Sequence, residues 1–193
     1  MRKIFTLIFA LLNVTFSFAQ EHLTFKGVPI DGTLSSYVTK MKAKGFISYG
    51  SSDGVAILKG DFAAHKSCTI AVATMQNRDL VSRIGVMFPE QSQWQYLYGD
   101  YSELKKLLTI KYGEPTECLE EFQCDRYSYP DDDNDRMHNV RMDRCKYASV
   151  FTTNNGSIEL SIAHGEYSSC FVKLLYIDKT NNDSVIQDAL DDL

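Results

Sequence analysis

The stretch Asp100-Tyr101-Ser102-Glu103-Leu104-Lys105-Lys106-Leu107-Leu108-Thr109-Ile110-Lys111-Tyr112-Gly113-Glu114-Pro115 decides how the rest of the chain is read. It spells a helix with both ends marked. Asp100 offers a carboxylate to the orphan N–H groups of a first turn, and Glu103 stands where a capping box wants it. Tyr101, Leu104, Leu107 and Leu108 recur at helical spacing and define a buried stripe. Gly113 supplies a left-handed terminus, and Pro115 stops the helix from resuming. The same grammar occurs once earlier, with Thr33 as cap, Leu34, Tyr37, Val38 and Met41 as stripe, and Gly45 as stop.

Working outward, each helix is followed by short strands. Phe46–Tyr49 begins a block that continues through Val55–Lys59, Cys68–Met75 and Val81–Phe88. Ser52-Asp53-Gly54 marks a hairpin turn within it, and Gly60-Asp61 is expected to end the second strand. Ser92–Gly99 predicts one or two helical turns ahead of the capped helix, giving a helical hairpin. Beyond Pro115, Thr116–Tyr129 mixes strand-forming and acidic residues, and Tyr129–Asp135 has the composition of a solvated loop. Strands are expected at Tyr147–Thr152, Ser157–Ala163 and Cys170–Asp178, with Asn154-Asn155-Gly156 as a strong hairpin signal. Ile158, Leu160 and Ile162 alternate with Ser157, Glu159 and Ser161, which gives one packed face and one wet face. The expected fold is α+β, in two similar halves of helix or helical hairpin packed on an antiparallel meander of about four strands.

The chain has 193 residues and a formal net charge of −5. Residues 1–19 have the form of a signal peptide: Arg2 and Lys3, an apolar run from Ile4 to Phe18, and Ser17-Phe18-Ala19 before Gln20. Removing them takes two basic residues and no acidic one, so the mature charge becomes −7. Phosphate backbones have no overall attraction to such a chain, which argues against nucleic acid as partner. No later stretch is apolar enough to span a membrane. The expected organisation is 1–19 signal peptide, 20–90 first half, 91–179 second half, and 180–193 an acidic tail or frayed helix. Localisation is expected to be periplasmic or secreted.

Five cysteines would then meet an oxidising compartment: Cys68, Cys118, Cys124, Cys145 and Cys170. Cys118, Cys124 and Cys145 bracket the irregular region, and any two could staple it. Cys68 and Cys170 each open an apolar strand and suit buried free thiols. The spacings match no zinc pattern, and neither metal nor cofactor is expected. Asp131-Asp132-Asp133-Asn134-Asp135 places carboxylates at alternate positions as calcium loops do, but Arg136 and Met142 stand where an EF-hand needs glycine and glutamate. His138, Asp143 and Cys145 supply an imidazole, an acid and a thiol without any hydrolase signature. The common hydrolase, zinc-protease and nucleotide-binding fingerprints are missing as well.

Trp94, Tyr96 and Tyr98 lie beside the organising helix and are the candidate binding residues, for sugar stacking or a protein contact. Leu23–Gly32, Leu97-Tyr98-Gly99-Asp100-Tyr101 and Lys111-Tyr112-Gly113-Glu114-Pro115 resemble a large set of uncharacterised exported proteins of Bacteroidetes. The repeated helix-then-strands unit also resembles the tandem architecture of the secreted β-lactamase inhibitor protein and of small outer-membrane assembly proteins that share its fold. The insertion from Cys118 to Cys145 departs from that plan. The resemblance implies a non-catalytic, protein-binding or inhibitor-like module of the cell envelope. Two other functions fit the residues: a glycan-binding accessory protein using Trp94, Tyr96 and Tyr98, or a hydrolase built from His138, His164 and the acidic loop.

Overall fold

A computed structural model describes residues 22–75, 78–123, 129–166 and 169–191, without the side chains of 185–189 and 191. Residues 1–19, read above as a signal peptide, and Cys124 lie outside them. The described chain runs β1 (Thr24–Phe25), β2 (Val28–Pro29), α1 (Leu34–Ala43), β3 (Ile47–Ser52), β4 (Val55–Phe62), β5 (His65–Thr74) and β6 (Val81–Met87). It continues through α2 (Trp94–Tyr112), β7 (Glu117–Phe122), α3 (Asp133–Arg141), β8 (Cys145–Thr153), β9 (Gly156–His164), β10 (Cys170–Asp178) and α4 (Lys179–Asp191). The class is α+β with antiparallel pairing throughout. β1 and β2 form a small hairpin, and the other strands form one sheet in the order β3-β4-β5-β6-β10-β9-β8-β7.

Two meanders therefore meet at β6 and β10, where Met87 pairs with Lys173 and Arg83 with Ile177. Each meander follows a helix, although α1 has 10 residues and α2 has 19. α3 is inserted between β7 and β8. One sheet, not two, carries both halves, because the β6–β10 ladder leaves no internal edge.

Alternation decides the layering. Leu58, Ile70, Ile84, Leu174, Leu160 and Phe151 are buried on one face, and a single hydrophobic core lies between that face and the helices. α1 begins at Thr33, whose hydroxyl accepts from the Ser36 N–H at 3.3 Å. It ends in a Schellman motif: Gly45 donates to the Lys42 carbonyl, and Phe46 donates to the Met41 carbonyl. No described helix is long and apolar enough to cross a membrane.

Three local expectations are corrected. α2 is one continuous helix from Trp94, and Asp100 lies inside it, accepting from the Gln91 side chain at 2.7 Å. The buried series Trp94, Leu97, Tyr101, Leu104 and Leu108 keeps helical spacing across Gly99, so packing overrides the local capping signal. β4 runs past Gly60-Asp61 to Phe62 and turns at Ala63-Ala64, both at positive φ. The acidic loop ends early, at Asp132, which caps α3 by accepting from the Asp135 N–H at 2.8 Å, so that Asp133, Asn134 and Asp135 are helical and Met137 and Val140 are buried.

Two glycines separate conformational cost from steric need. A Cβ on Gly99 would meet no atom within 4 Å, whereas one on Gly156 would collide with the Ile177 carbonyl, and Gly156 has φ +151°. Gly99→Ala should therefore raise stability by about 0.5–1 kcal/mol, while Gly156→Ala should lower it by roughly 1–3 kcal/mol. Thermal melts of the two variants check this. Tyr37 is fully buried with its hydroxyl unpartnered, so Tyr37→Phe should match or exceed the parent in stability, in denaturant titrations, by up to about 1 kcal/mol.

Candidate functional site

The three aromatic residues chosen from sequence do not form one exposed row. Trp94 is only 7 % exposed, while Tyr96 and Tyr98 are open to solvent. Residues two apart on a helix point to opposite sides, which separates Tyr96 from Trp94. The indole stacks on Tyr98 with ring centroids 5.7 Å apart and meets Phe122 and Tyr147 at 5.1 and 5.2 Å. These rings pin α2 to β7 and β8 as a packed cluster.

Of the candidate disulfide residues, Cys118 is an exposed free thiol and Cys145 a buried one. Cys118 pairs across the ladder with Ser149 and Cys145 with Phe122, so they are separated by roughly 13 Å of strand, beyond the ~7 Å reach of a disulfide. Cys68 and Cys170 are buried, as their strand positions predicted.

His138, Asp143 and Cys145 are not assembled. Asp143 instead meets His164, whose Nε2 lies 3.1 Å from its carboxylate, while Nδ1 lies 3.2 Å from the Gly165 carbonyl. A cavity of about 260 Å³ opens beside Asp143, Cys145, His164 and Lys173. Burial pushes the Cys145 thiol up to about 12, so it stays protonated and is a poor nucleophile at neutral pH. His138 is exposed on α3 and does not line this cavity. Among the described residues, no group of three His, Cys, Asp or Glu side chains is placed to hold a metal ion.

A polar constellation not anticipated from sequence joins α2 to the β7 edge. The Tyr101 hydroxyl donates to Glu120 at 3.0 Å and lies 2.8 Å from the Ser149 hydroxyl. Lys105 donates to the same carboxylate and to the Cys118 sulfur, the latter at 3.1 Å. Burial works against the Glu120 carboxylate, but the bonds from Lys105 and Tyr101 outweigh it and hold it below its ordinary range. Burial raises the Tyr101 phenol well above its usual range, with Glu120 adding to the shift against the Ser149 bond. Its members satisfy one another and leave no free base or nucleophile pair. The i, i+4 spacing of Tyr101 and Lys105 was the only sequence signal, since Glu120 and Ser149 arrive from separate strands.

The opposite face of the sheet has a different character. One register row runs Ile57, Ala71, Gly85, Leu175, Glu159 and Val150. The next runs Lys59, Thr69, Met87, Lys173, Ser161 and Ala148. Arg83 stands on the far side of the first row, between Ala73 and Ile177. Around a largely apolar centre Lys59, Arg83 and Lys173 project into solvent, and Glu159, with Glu117 and Glu121 at the β7 edge, stands on the same face. None of these three has a carboxylate partner within ion-pair distance among the described residues. Lys59 lies over the exposed Tyr49 ring at 5.2 Å. No protein-family model, curated protein or solved structure matches the chain.

Two measurements check these assignments. In native protein Cys118 should react with a thiol reagent, while Cys68, Cys145 and Cys170 react only after unfolding, as read by peptide mapping. Because Glu120 is held low by its partners, its stabilisation is complete above the ordinary carboxylate range and lost as pH falls through the depressed value. Acid unfolding of Glu120→Gln should accordingly show a shallower loss of stability below about pH 4 than the parent.

Proposed function

We propose that the protein is an exported, non-catalytic protein-binding module of the cell envelope, and that the helix-free face of its sheet is the contact surface. The observation that carries this reading is the unpaired cationic set Lys59, Arg83 and Lys173 around an apolar centre. Lys59 and Lys173 are three strands apart, about 14 Å at ~4.8 Å per strand, a footprint that suits a folded protein surface better than a small molecule. Its complement is a surface that presents carboxylates around an apolar patch. Charge complementarity of this kind sets orientation and rate of encounter.

The signal-like residues 1–19 support export, and the resemblance to the secreted β-lactamase inhibitor protein supports a role as a binder. Burial of Trp94 speaks against the glycan reading, which needs that ring in solvent. The protonated Cys145 and the separation of His138 from Asp143 speak against a cysteine hydrolase.

Mature protein carrying Lys59→Glu and Lys173→Glu should keep its melting temperature but lose the envelope proteins retained by the parent. Identical retention by both, in washed pull-downs compared by mass spectrometry, would remove the face from the proposal. Fractionation should also yield a secreted or periplasmic form beginning at Gln20.

A further inference from the structure

The two ends of the eight-stranded sheet are not alike. β7 closes one end and carries Glu117, Glu120 and Glu121, charges that discourage another strand from pairing there. β3 closes the other end with the sequence Ile-Ser-Tyr-Gly-Ser-Ser, which has neither charge nor proline. Its Ile47 and Tyr49 are both 65 % exposed. Its outer row of backbone N–H and C=O groups faces no strand among the described residues.

Beside this open edge lies a cavity of about 1280 Å³. Leu34, Val38 and Lys42 line it from α1, at i, i+4 and i+8, a span of about 12 Å along the helix axis. Ser48 and Ser51 line it from β3. Ser48 pairs with Leu58 and Ser51 with Ala56, so both serines point toward the helix layer as those core residues do. Where the rest of the sheet puts large apolar side chains under a helix, β3 puts two hydroxymethyl groups. Leu34 and Val38 consequently remain half-buried over unfilled space.

We propose that this groove receives an extended segment of a partner polypeptide, paired to β3 as an added strand. Its alternate large apolar side chains enter beneath Leu34 and Val38, and a carboxylate meets Lys42. Strand addition provides affinity through main-chain bonds and specificity through alternate side chains. Lys42 is exposed in the last turn of α1 and lacks a carboxylate partner among the described residues. A second copy of the chain is a poorer occupant. β3 against β3 would bring only further serines to the groove, and the bulge between Ser48 and Gly50 twists the edge away from a regular partner sheet. Arg83 also lines this groove and Tyr49 lies under Lys59, so the site adjoins the helix-free face at those residues, but neither proposal rests on the other.

A random-peptide display library selected on immobilised mature protein supplies the probes. Enriched peptides should alternate apolar and polar residues and include an acidic one. In fluorescence polarisation their affinity should fall about tenfold or more for Ile47→Lys with Tyr49→Lys, and again for Lys42→Glu. It should be unchanged for Lys173→Glu, and amide exchange in β3 should slow when peptide is bound. Melts of each variant establish that it folds. The proposal is overturned if no peptide is enriched over the bare support, if edge variants bind as well as the parent, or if only the face variant loses binding. Sedimentation showing a dimer that the edge variants dissociate would also overturn it, by placing a second copy at β3.

Discussion

The antiparallel ladder between β6 and β10 is the joint on which the structure depends. Without it each meander would end in an unprotected edge, and the two cores would each be small. With it, Val86 sits opposite Leu174 and Ile84 opposite Tyr176, and apolar side chains from both halves fill one volume. The lower end of the joint is fixed by a buried polar knot. Asp178 is fully buried and accepts from the Leu23 N–H at 2.6 Å and the Asn181 N–H at 2.9 Å, with His22 at 3.0 Å. Asn181 in turn donates to the Ile30 and Val81 carbonyls at 3.0 and 2.8 Å. A buried carboxylate is tolerated because donors surround it, and those donors come from the amino-terminal segment and the start of α4. The joint therefore also sets where the chain enters and leaves the sheet.

Fusing the meanders has a consequence for the surfaces. All of the large apolar side chains that the helices cover belong to one face, so the other face is free to be half-apolar and charged. Lys59, Arg83 and Lys173 stand on it together with Glu159, and with Glu117 and Glu121 at the β7 edge. Charges of both signs fixed at register positions around an apolar centre favour one orientation of a partner over others.

Much of the fold was legible locally. Thr33 and Gly45 bound α1 as their chemistry predicts, and Asn154-Asn155-Gly156 turns β8 into β9. The alternation of Ile158, Leu160 and Ile162 fixed the buried face of β9. What failed locally failed for identifiable reasons. Asp100 and Glu103 mimic a helix start, but the core is indifferent to that signal once Trp94 and Leu97 are packed. Ala63-Ala64 makes a turn that alanine does not advertise, its positive φ values imposed by the flanking strand pair. α3 hides in an acidic run, and its signals were the cap spacing of Asp132 and Asp135 and the buried pair Met137 and Val140. The β6–β10 pairing joins segments about as far apart as a whole half, a distance that no periodicity reports. The same limit applies to the candidate surfaces: Lys59, Arg83 and Lys173 are ordinary scattered cations until register brings them onto one face.

The internal chemistry and the external surfaces follow from one asymmetry in how polar groups are satisfied. Inside, apart from the Tyr37 hydroxyl, the polar clusters have their partners: Glu120 with Lys105 and Tyr101, and Asp178 with three donors. A catalytic centre keeps at least one group poised and unspent, with a pKa matched to its task. Here the shifted thiols and phenols move upward by burial, away from reactivity. Among the described residues, the backbone row of β3 and the cations of the helix-free face are left without a protein partner on the outside. Unsatisfied donors and charges at a surface cost little in water, and they contribute to binding only where a partner brings complementary groups as it excludes that water.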